Sequence, residues 1–514
     1  EFEWISSSDT ETILNTYINY GFKKTLNLIN GMFAFAIIDL NKNRLFLSRD
    51  RFGEKPLYWG RVKLRNNPNI NPFVFASEVS AFKSIPGFCN TINSESFISF
   101  IKYGYIPAPF SIYENIYQLN PGTMLIIPLE NAESKNFSDG YPIEKKWWDS
   151  LKVSYEKSSK KIFKSTKEGL EALEAALENS IKSQMLSDMP ICSFLSGGKD
   201  SSLITSLIQK YYFGNINTFN ISFPDIKSSQ TGFDESQNAS ELANFLGTKH
   251  NQIELSSSEA LKIIPQLPQI YSEPFADSSS VATYLVCREA KKSGFKVALS
   301  GDGADELFGG YNRHRLIPIL EKFGRLPNFM KASIANLLCK YKFNDNYLMK
   351  EKKRKLYGAL INSSDINAIY MNLLSVFSHP KFEILQKDFK YENNNSINFL
   401  PDAQSKEEQI MLSDLNHYLP NDILVKLDRA AMANSLETRT PFLDYKVAEV
   451  AWSLPIETKI PNNFRNTGKW ILNKILEKQI PRKLINKKKK GFAIPLGSWI
   501  RGPLKDWAGD LLSK

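Results

Sequence analysis

The sequence is poor in the residues that build metal and disulfide frameworks. Among 514 residues there are four cysteines, Cys89, Cys192, Cys287 and Cys339, and four histidines, His250, His314, His379 and His417. No two cysteines form a C-x-x-C pair, which argues against a zinc knuckle or a disulfide scaffold. The histidines are equally scattered, and each reads as structural, so no dedicated metal site is expected. No run of about 18 apolar residues occurs, so no membrane-spanning helix is expected. The opening Glu1-Phe2-Glu3-Trp4 lacks the basic-then-apolar layout of a secretory signal, and a cytoplasmic location follows as the default. It also lacks an initiator Met, as a fragment or a processed chain would. No helix-turn-helix, finger or RNP pattern accompanies the net charge of +11, so nucleic acid is not the expected partner. The densest basic runs, Lys352-Lys353-Arg354-Lys355 and Lys487 to Lys490, read as solvated lysine-rich surface.

What is present is apolar enough, at 42% hydrophobic residues, to be globular, and too long for one ordinary core. Its most informative stretch is Ser196-Gly197-Gly198-Lys199-Asp200-Ser201-Ser202. An apolar run, Ile191 to Leu195, precedes it and reads as a buried strand; Leu203, Ile204, Leu207 and Ile208 follow on one helical face. A glycine- and hydroxyl-rich turn that opens a helix points backbone N–H groups and the positive end of the helix dipole at an anion. Gly197 and Gly198 permit close backbone approach. Ser196, Ser201 and Ser202 can donate to phosphate oxygens. The turn is not a Walker A loop: Lys199 is followed by Asp200, and Ser193 stands where the first glycine would be. It resembles instead the PP-loop of ATP pyrophosphatases, which cleave ATP between the α- and β-phosphates and adenylate a substrate.

Along the chain, residues up to about 130 alternate strands and turns. Ser8 to Glu11 reads as a capping box ahead of a helix carrying Ile13, Leu14, Tyr17 and Ile18 and ended by Gly21. Met32–Leu40 and Arg44–Arg49 read as strands joined by a turn, with Phe73–Ala76 and Thr123–Ile127 as further strands. Residues 131–166, polar and without periodicity, read as a linker. A helix from Glu168 to about Leu186 then leads into alternating elements: strand 191–195, helix 203–210, strand 216–223, helix 236–246 and strand 296–300. That alternation predicts a parallel, doubly wound sheet, followed from about residue 310 by mostly helical structure.

A second glycine turn follows Val297-Ala298-Leu299: Ser300-Gly301-Asp302-Gly303-Ala304-Asp305-Glu306, then Leu307 to Tyr311. Carboxylates beside a phosphate site suit Mg²⁺, a hard cation that bridges to phosphates. With the blocks Gly31 to Ala36, Arg49 to Tyr58, Ala76-Ser77-Glu78, Leu427 to Met432, Leu436 to Asp444 and Lys489-Lys490-Gly491-Phe492, the chain resembles glutamine-hydrolysing asparagine synthetases over nearly its whole length. The resemblance implies an α/β protein: part of an Ntn-type αββα class II glutamine amidotransferase domain over residues 1–130, a linker over 131–166, and a PP-loop synthetase domain with a helical C-terminal part over 167–514. It implies ATP and Mg²⁺, aspartate, and glutamine or ammonia as small-molecule substrates; a homodimer is compatible with it. The implied activity adenylates aspartate and amidates it to asparagine, releasing AMP and pyrophosphate.

By the same resemblance, Ser196 to Ser202, with Lys199 and Asp200, cradle the pyrophosphate, and the Ile221 backbone contacts adenine. Ser300, Gly301 and Asp302 face β-aspartyl-AMP, and Asp305 and Glu306 serve aspartate or Mg²⁺. Arg429, Glu437 and Lys489 fall on positions near phosphate and intermediate. Lys199 replaces the apolar residue usual in the asparagine synthetase loop. In the front segment Asp9 alone matches a glutamine-binding position. The family's N-terminal Cys nucleophile, its arginine and its Asn-Gly-Glu block have no counterpart here, so this chain is expected to use ammonia and not to hydrolyse glutamine. Relatives on the same scaffold act on other carboxylates, amidating sugar acids of surface polysaccharides or closing β-lactam rings. A non-catalytic scaffold and an RNA-modifying PP-loop enzyme are the readings from other classes.

Overall fold

The computed structural model describes residues 4–67, 71–130, 142–160, 162–225, 234–340, 347–377, 403–461, 468–485 and 494–513. Two compact units divide the chain, residues 1–93 with 107–153, and residues 94–106 with 154–514.

Among its described residues the first unit holds seven strands: β1 (Ala34–Asp39), β2 (Arg44–Arg49), β3 (Tyr58–Arg61), β4 (Phe73–Ala76), β5 (Ile116–Gln118), β6 (Thr123–Pro128) and β7 (Ile143–Lys146). They form two antiparallel sheets, ordered β1-β2-β6-β7 and β4-β3-β5. The two-residue period of β2 decides what each face covers. Leu45 and Leu47 join Trp59, Leu119, Leu125 and Ile127 in one core. Phe46, pointing the other way, packs with Tyr17, Phe22 and Leu26 of the two N-terminal helices. Ser8 caps the first helix, Asp9–Tyr20, accepting from the Thr10 N–H at 3.2 Å. The capping box is only half formed: Glu11 accepts from the Ile5 and Ser6 backbones at 2.8 and 2.6 Å, not from Ser8. The stretch set aside as linker, 131–166, contains β7 and helix Ser150–Ser159. Its strand pairs with β6, and the adjoining Trp147 is buried and donates from Nε1 to the Arg49 carbonyl at 3.3 Å.

The block Arg49 to Lys55 proves to be a structural knot. Asp50 accepts from the backbone N–H groups of Phe52, Gly53, Glu54 and Lys55 at 2.7–3.1 Å. The Arg49 guanidinium donates to the carbonyls of Lys55, Leu119 and Gly53. Both side chains are about 1% exposed, so they satisfy buried backbone polar groups and are unavailable to a ligand.

The second unit is built on a five-stranded, all-parallel sheet of β8 (Ile191–Phe194), β9 (Asn217–Ser222), β10 (Lys249–Glu254), β11 (Val297–Leu299) and β12 (Glu437–Arg439), ordered β10-β9-β8-β11-β12. Helix Lys199–Tyr211 connects β8 to β9, and Ser236–Leu246 connects β9 to β10. The first of these begins four residues ahead of the sequence expectation, so Lys199, Asp200, Ser201 and Ser202 form its first turn. Cys192, Phe219 and Ala298 from the strands pack with Leu285, Cys287, Trp499 and Leu504 in the main core. From Asn312 onward the chain is largely helical, with its own buried cluster around Ile317, Leu360, Ile369 and Tyr370. The chain winds from β8 outward through β9 to β10, then returns to place β11 on the other side of β8. Strand order therefore reverses between β8 and β11, where doubly wound sheets leave a crevice at the strands' C-terminal ends.

Candidate active site

Two glycine turns leave the sheet at that reversal, one from β8 and one from β11. Gly197 has φ +82°, in the left-handed region, and a Cβ there would lie 3.0 Å from the Ala239 nitrogen and the Glu235 carbonyl oxygen. At Gly301 the constraint is proximity. A Cβ would sit 2.8 Å from the Ser201 nitrogen and 2.9 Å from the Asp200 carbonyl carbon, so the turns touch backbone to backbone. Inside the first turn the hydroxyls hold the loop's shape. Ser196 and Ser201 share a 3.0 Å hydrogen bond, and the Ser201 and Ser202 hydroxyls donate to the Gly198 carbonyl at 3.1 and 2.6 Å. Ile221 is buried near the C-terminal end of β9, on the same edge of the sheet.

The charges follow. Lys469, 4% exposed, bridges the turns: its Nζ lies 2.6 Å from Asp200 of the first and 2.6 Å from Asp305 of the second. Burial alone would lower its pKa, but the two carboxylates outweigh burial and raise it, so it remains a cation. Its backbone sits at φ +54°, uncommon for a residue with a side chain, and its N–H donates to the Phe308 carbonyl at 3.0 Å. Gly310 packs against the Asp305 carboxylate and the Lys469 stem, where a Cβ would collide with both. Asp302 is buried and accepts from the Ser300 hydroxyl at 2.8 Å. Burial raises its pKa, with Lys426 opposing and Asp305 and Asp200 reinforcing the shift.

The structure thus brings together Ser196 to Ser202, Ser300, Gly301, Asp302 and Asp305. It separates others. Glu306 accepts from the Tyr311 hydroxyl at 2.8 Å and lines a cleft with Tyr155, Met411, Trp452 and Lys459. Burial, then Asp305, pushes its carboxyl up to about 8. Glu437 opens β12 opposite Val297, at the end of the sheet away from the turns. It holds Arg439 Nε at 2.6 Å while Arg439 ties down the Gln184 and Leu186 carbonyls, so its place is structural. Arg429 is buried on helix Leu424–Met432, one turn after Lys426. Asp9 is exposed in the first turn of its helix, in the other unit. Lys489 lies outside the described residues.

Sequence reasoning missed Lys469 and Lys426. Lys469 is one cation among 65 and lies in no recognisable block; Lys426 sits one residue ahead of the Leu427 to Met432 block. Only the fold brings them to the turns.

Comparison with known proteins agrees with this architecture. Residues 172–514 match the Asparagine synthase family, and residues 1–138 match the Glutamine amidotransferase domain family. Asparagine synthetase [glutamine-hydrolyzing] 1 of Bacillus subtilis is 29% identical over 514 residues, covering 99% of this chain and 74% of that protein. Asparagine synthetase [glutamine-hydrolyzing] 3 of the same organism is 27% identical, over 95% of this chain and 70% of that protein. Amidase chry2 of Gibberella zeae is 23% identical, over 100% of this chain and 77% of that protein. With two glycine turns at one strand reversal and a family match over two thirds of its length, the chain belongs to the asparagine synthase family of ATP-dependent, amide-forming carbon–nitrogen ligases, behind a glutamine amidotransferase domain.

Proposed function

We propose that the protein adenylates the β-carboxylate of aspartate with ATP and amidates it to asparagine, releasing pyrophosphate and AMP, with ammonia as the attacking nitrogen and glutamine as its source in the intact protein. The observation that carries this reading is Lys469 tied to one acid from each glycine turn. A carboxylate attacking the α-phosphorus develops charge on the departing pyrophosphate, and donors fixed in advance stabilise it most effectively. The backbone N–H groups of the helix start at Lys199, whose loop the Ser196, Ser201 and Ser202 hydroxyls hold in shape, and Lys469 supply such donors. Asp200 and Asp305 fit a Mg²⁺ ion shared with phosphate: Asp200 Oδ1 is buried without a partner, and this metal takes one or two carboxylates rather than a protein cage. When bound, that ion would neutralise phosphate charge. Asp302, beside the same crevice, would face the acyl-adenylate.

A second acceptor is favoured by one observation, the full-length likeness to a protein named an amidase, and calls for a carboxylate other than aspartate. Pyrophosphate release with ammonium and a panel of carboxylates separates the two. Aspartate giving the highest rate supports the proposal. Aspartate giving none while a sugar acid or another amino acid does would replace it, and no carboxylate-dependent release at all would indicate a scaffold.

A further inference from the structure

Beside Asp302 lies a second buried charge cluster to which the adenylation reading gives no role. Asp277, in the turn before helix Ser280–Lys292, accepts from the Ser279 backbone and hydroxyl at 2.8 Å each. Its other oxygen takes Lys426 Nζ at 2.8 Å. Asp277 and Tyr418 both act on the charge of Asp422. It is 7% exposed, and its Oδ1 is buried with no partner. Tyr105 and Tyr271 also face it. Lys426 faces Asp302 as well, which joins this cluster to the crevice. Asp422 is the penultimate residue of a π-helical stretch, Asp414–Ile423, an irregularity enriched at functional sites.

Two carboxylates and one lysine leave an excess negative charge in a buried place, with one acceptor oxygen unsatisfied. Such an arrangement is costly unless Asp422 takes up a proton or a cation with hydrogen-bond donors completes it. We propose that the Asp277–Asp422 pair, closed by Lys426, is a docking subsite for ammonium ion that supplies the nitrogen of the amide. The inference rests on the amide-forming reading above. An ammonium N–H would meet Asp422 Oδ1. Burial, with Asp277 adding to it, pushes the Asp422 carboxyl up to about 7, so it can take a proton near neutral pH. One proton passes from the ammonium nitrogen to Asp422 Oδ1. The freed lone pair forms the bond to the acyl carbon, and the C–O bond to AMP breaks with its electron pair staying on the AMP oxygen. The nitrogen's second proton goes to solvent.

The test uses the full chain and whichever carboxylate supports ATP–pyrophosphate exchange. Asp422→Asn keeps the side chain's shape and removes its charge. Exchange without ammonium is expected to stay within about twofold while KM for ammonium rises about tenfold or more, the size of one lost charge-assisted hydrogen bond. The rise in ammonium KM as pH falls through 7 is expected to disappear in the variant. Loss of exchange and amide formation in equal measure, or an unchanged ammonium KM, would overturn the subsite. An arm without a variant covers misfolding: potassium should compete with ammonium in the unaltered protein and leave exchange untouched, and absence of competition overturns the proposal. Failure of aspartate in exchange with success of another carboxylate would reject the proposed acceptor alone, since the ammonium KM is then read with that carboxylate.

Discussion

At the scale of single residues, the site depends most on a lysine that no motif announces. Removing the Lys469 ammonium leaves the Asp200 and Asp305 carboxylates facing each other in a buried place. Lys469→Met is expected to lower stability by about 3–5 kcal/mol, as for other broken buried pairs, and to cut pyrophosphate release by about a hundredfold or more. Thermal unfolding and initial rates check the two effects separately. Lys469→Arg should not rescue, because Gly310 packs against the lysine stem and leaves no room for a guanidinium. Glu437 carries the opposite expectation. Glu437→Gln should leave pyrophosphate release within about threefold and cost at most about 1 kcal/mol, since its partly exposed pair with Arg439 lies at the far end of the sheet. The cysteines are separable too. Burial raises the Cys192 and Cys287 thiols well above their usual range, whereas the Thr91 hydroxyl, with Arg65 assisting, lowers Cys89. Iodoacetamide should therefore label Cys89 ahead of both in the native protein, as peptide mass spectrometry would show. The serines and glycines of both turns were legible in sequence because their chemistry is local. Lys469, Lys426, Asp277 and Asp422 were not, because each matters through at least one partner more than a hundred residues away.

At the scale of elements, the strand–turn–helix units were legible wherever apolar period and turn chemistry agreed. β8, β9 and β11 fall within a residue or so of expectation, and helix Ser236–Leu246 matches its expected bounds. β10 was missed because Lys249-His250-Asn251-Gln252 carries no apolar alternation; pairing with β9, not propensity, makes it a strand. β7 was missed inside a polar segment for the same reason. The π-helical stretch Asp414–Ile423 has no sequence signature beyond Pro420, yet it anchors helix Asn312–Phe323 through a buried knot. Asp414 accepts from Arg313 Nε at 2.7 Å, shares a 2.7 Å hydrogen bond with His314 Nε2, and accepts from the Tyr370 hydroxyl at 2.7 Å. Burial opposes ionisation of Asp414, but Arg313 and then His314 outweigh it and lower its pKa. A carboxyl depressed in the folded state stabilises above its unfolded pKa of about 4, and that contribution is lost as pH falls through the folded value. Asp414→Asn should thus lower the melting temperature at pH 7 and flatten its decline below about pH 4, which calorimetry across pH would record. Unchanged acid sensitivity would show that this knot does not set it.

At the scale of the whole chain, the class was readable because several blocks occur in family order, while the compact units divide the chain at places no block marks. Helix Ser94–Tyr103, inside the expected front domain, belongs to the second unit, and the expected linker supplies a strand to the first. Both follow from long-range pairing that composition does not encode. The central claim is that a carboxylate oxygen attacks the α-phosphorus of ATP at the junction of the two turns. The most direct measurement labels the β-carboxylate of aspartate with ¹⁸O and follows the label during amide synthesis from ammonium. An acyl-adenylate predicts one labelled oxygen in the AMP released, with pyrophosphate unlabelled. Label appearing in inorganic phosphate alongside ADP, or AMP formed without label, would contradict it.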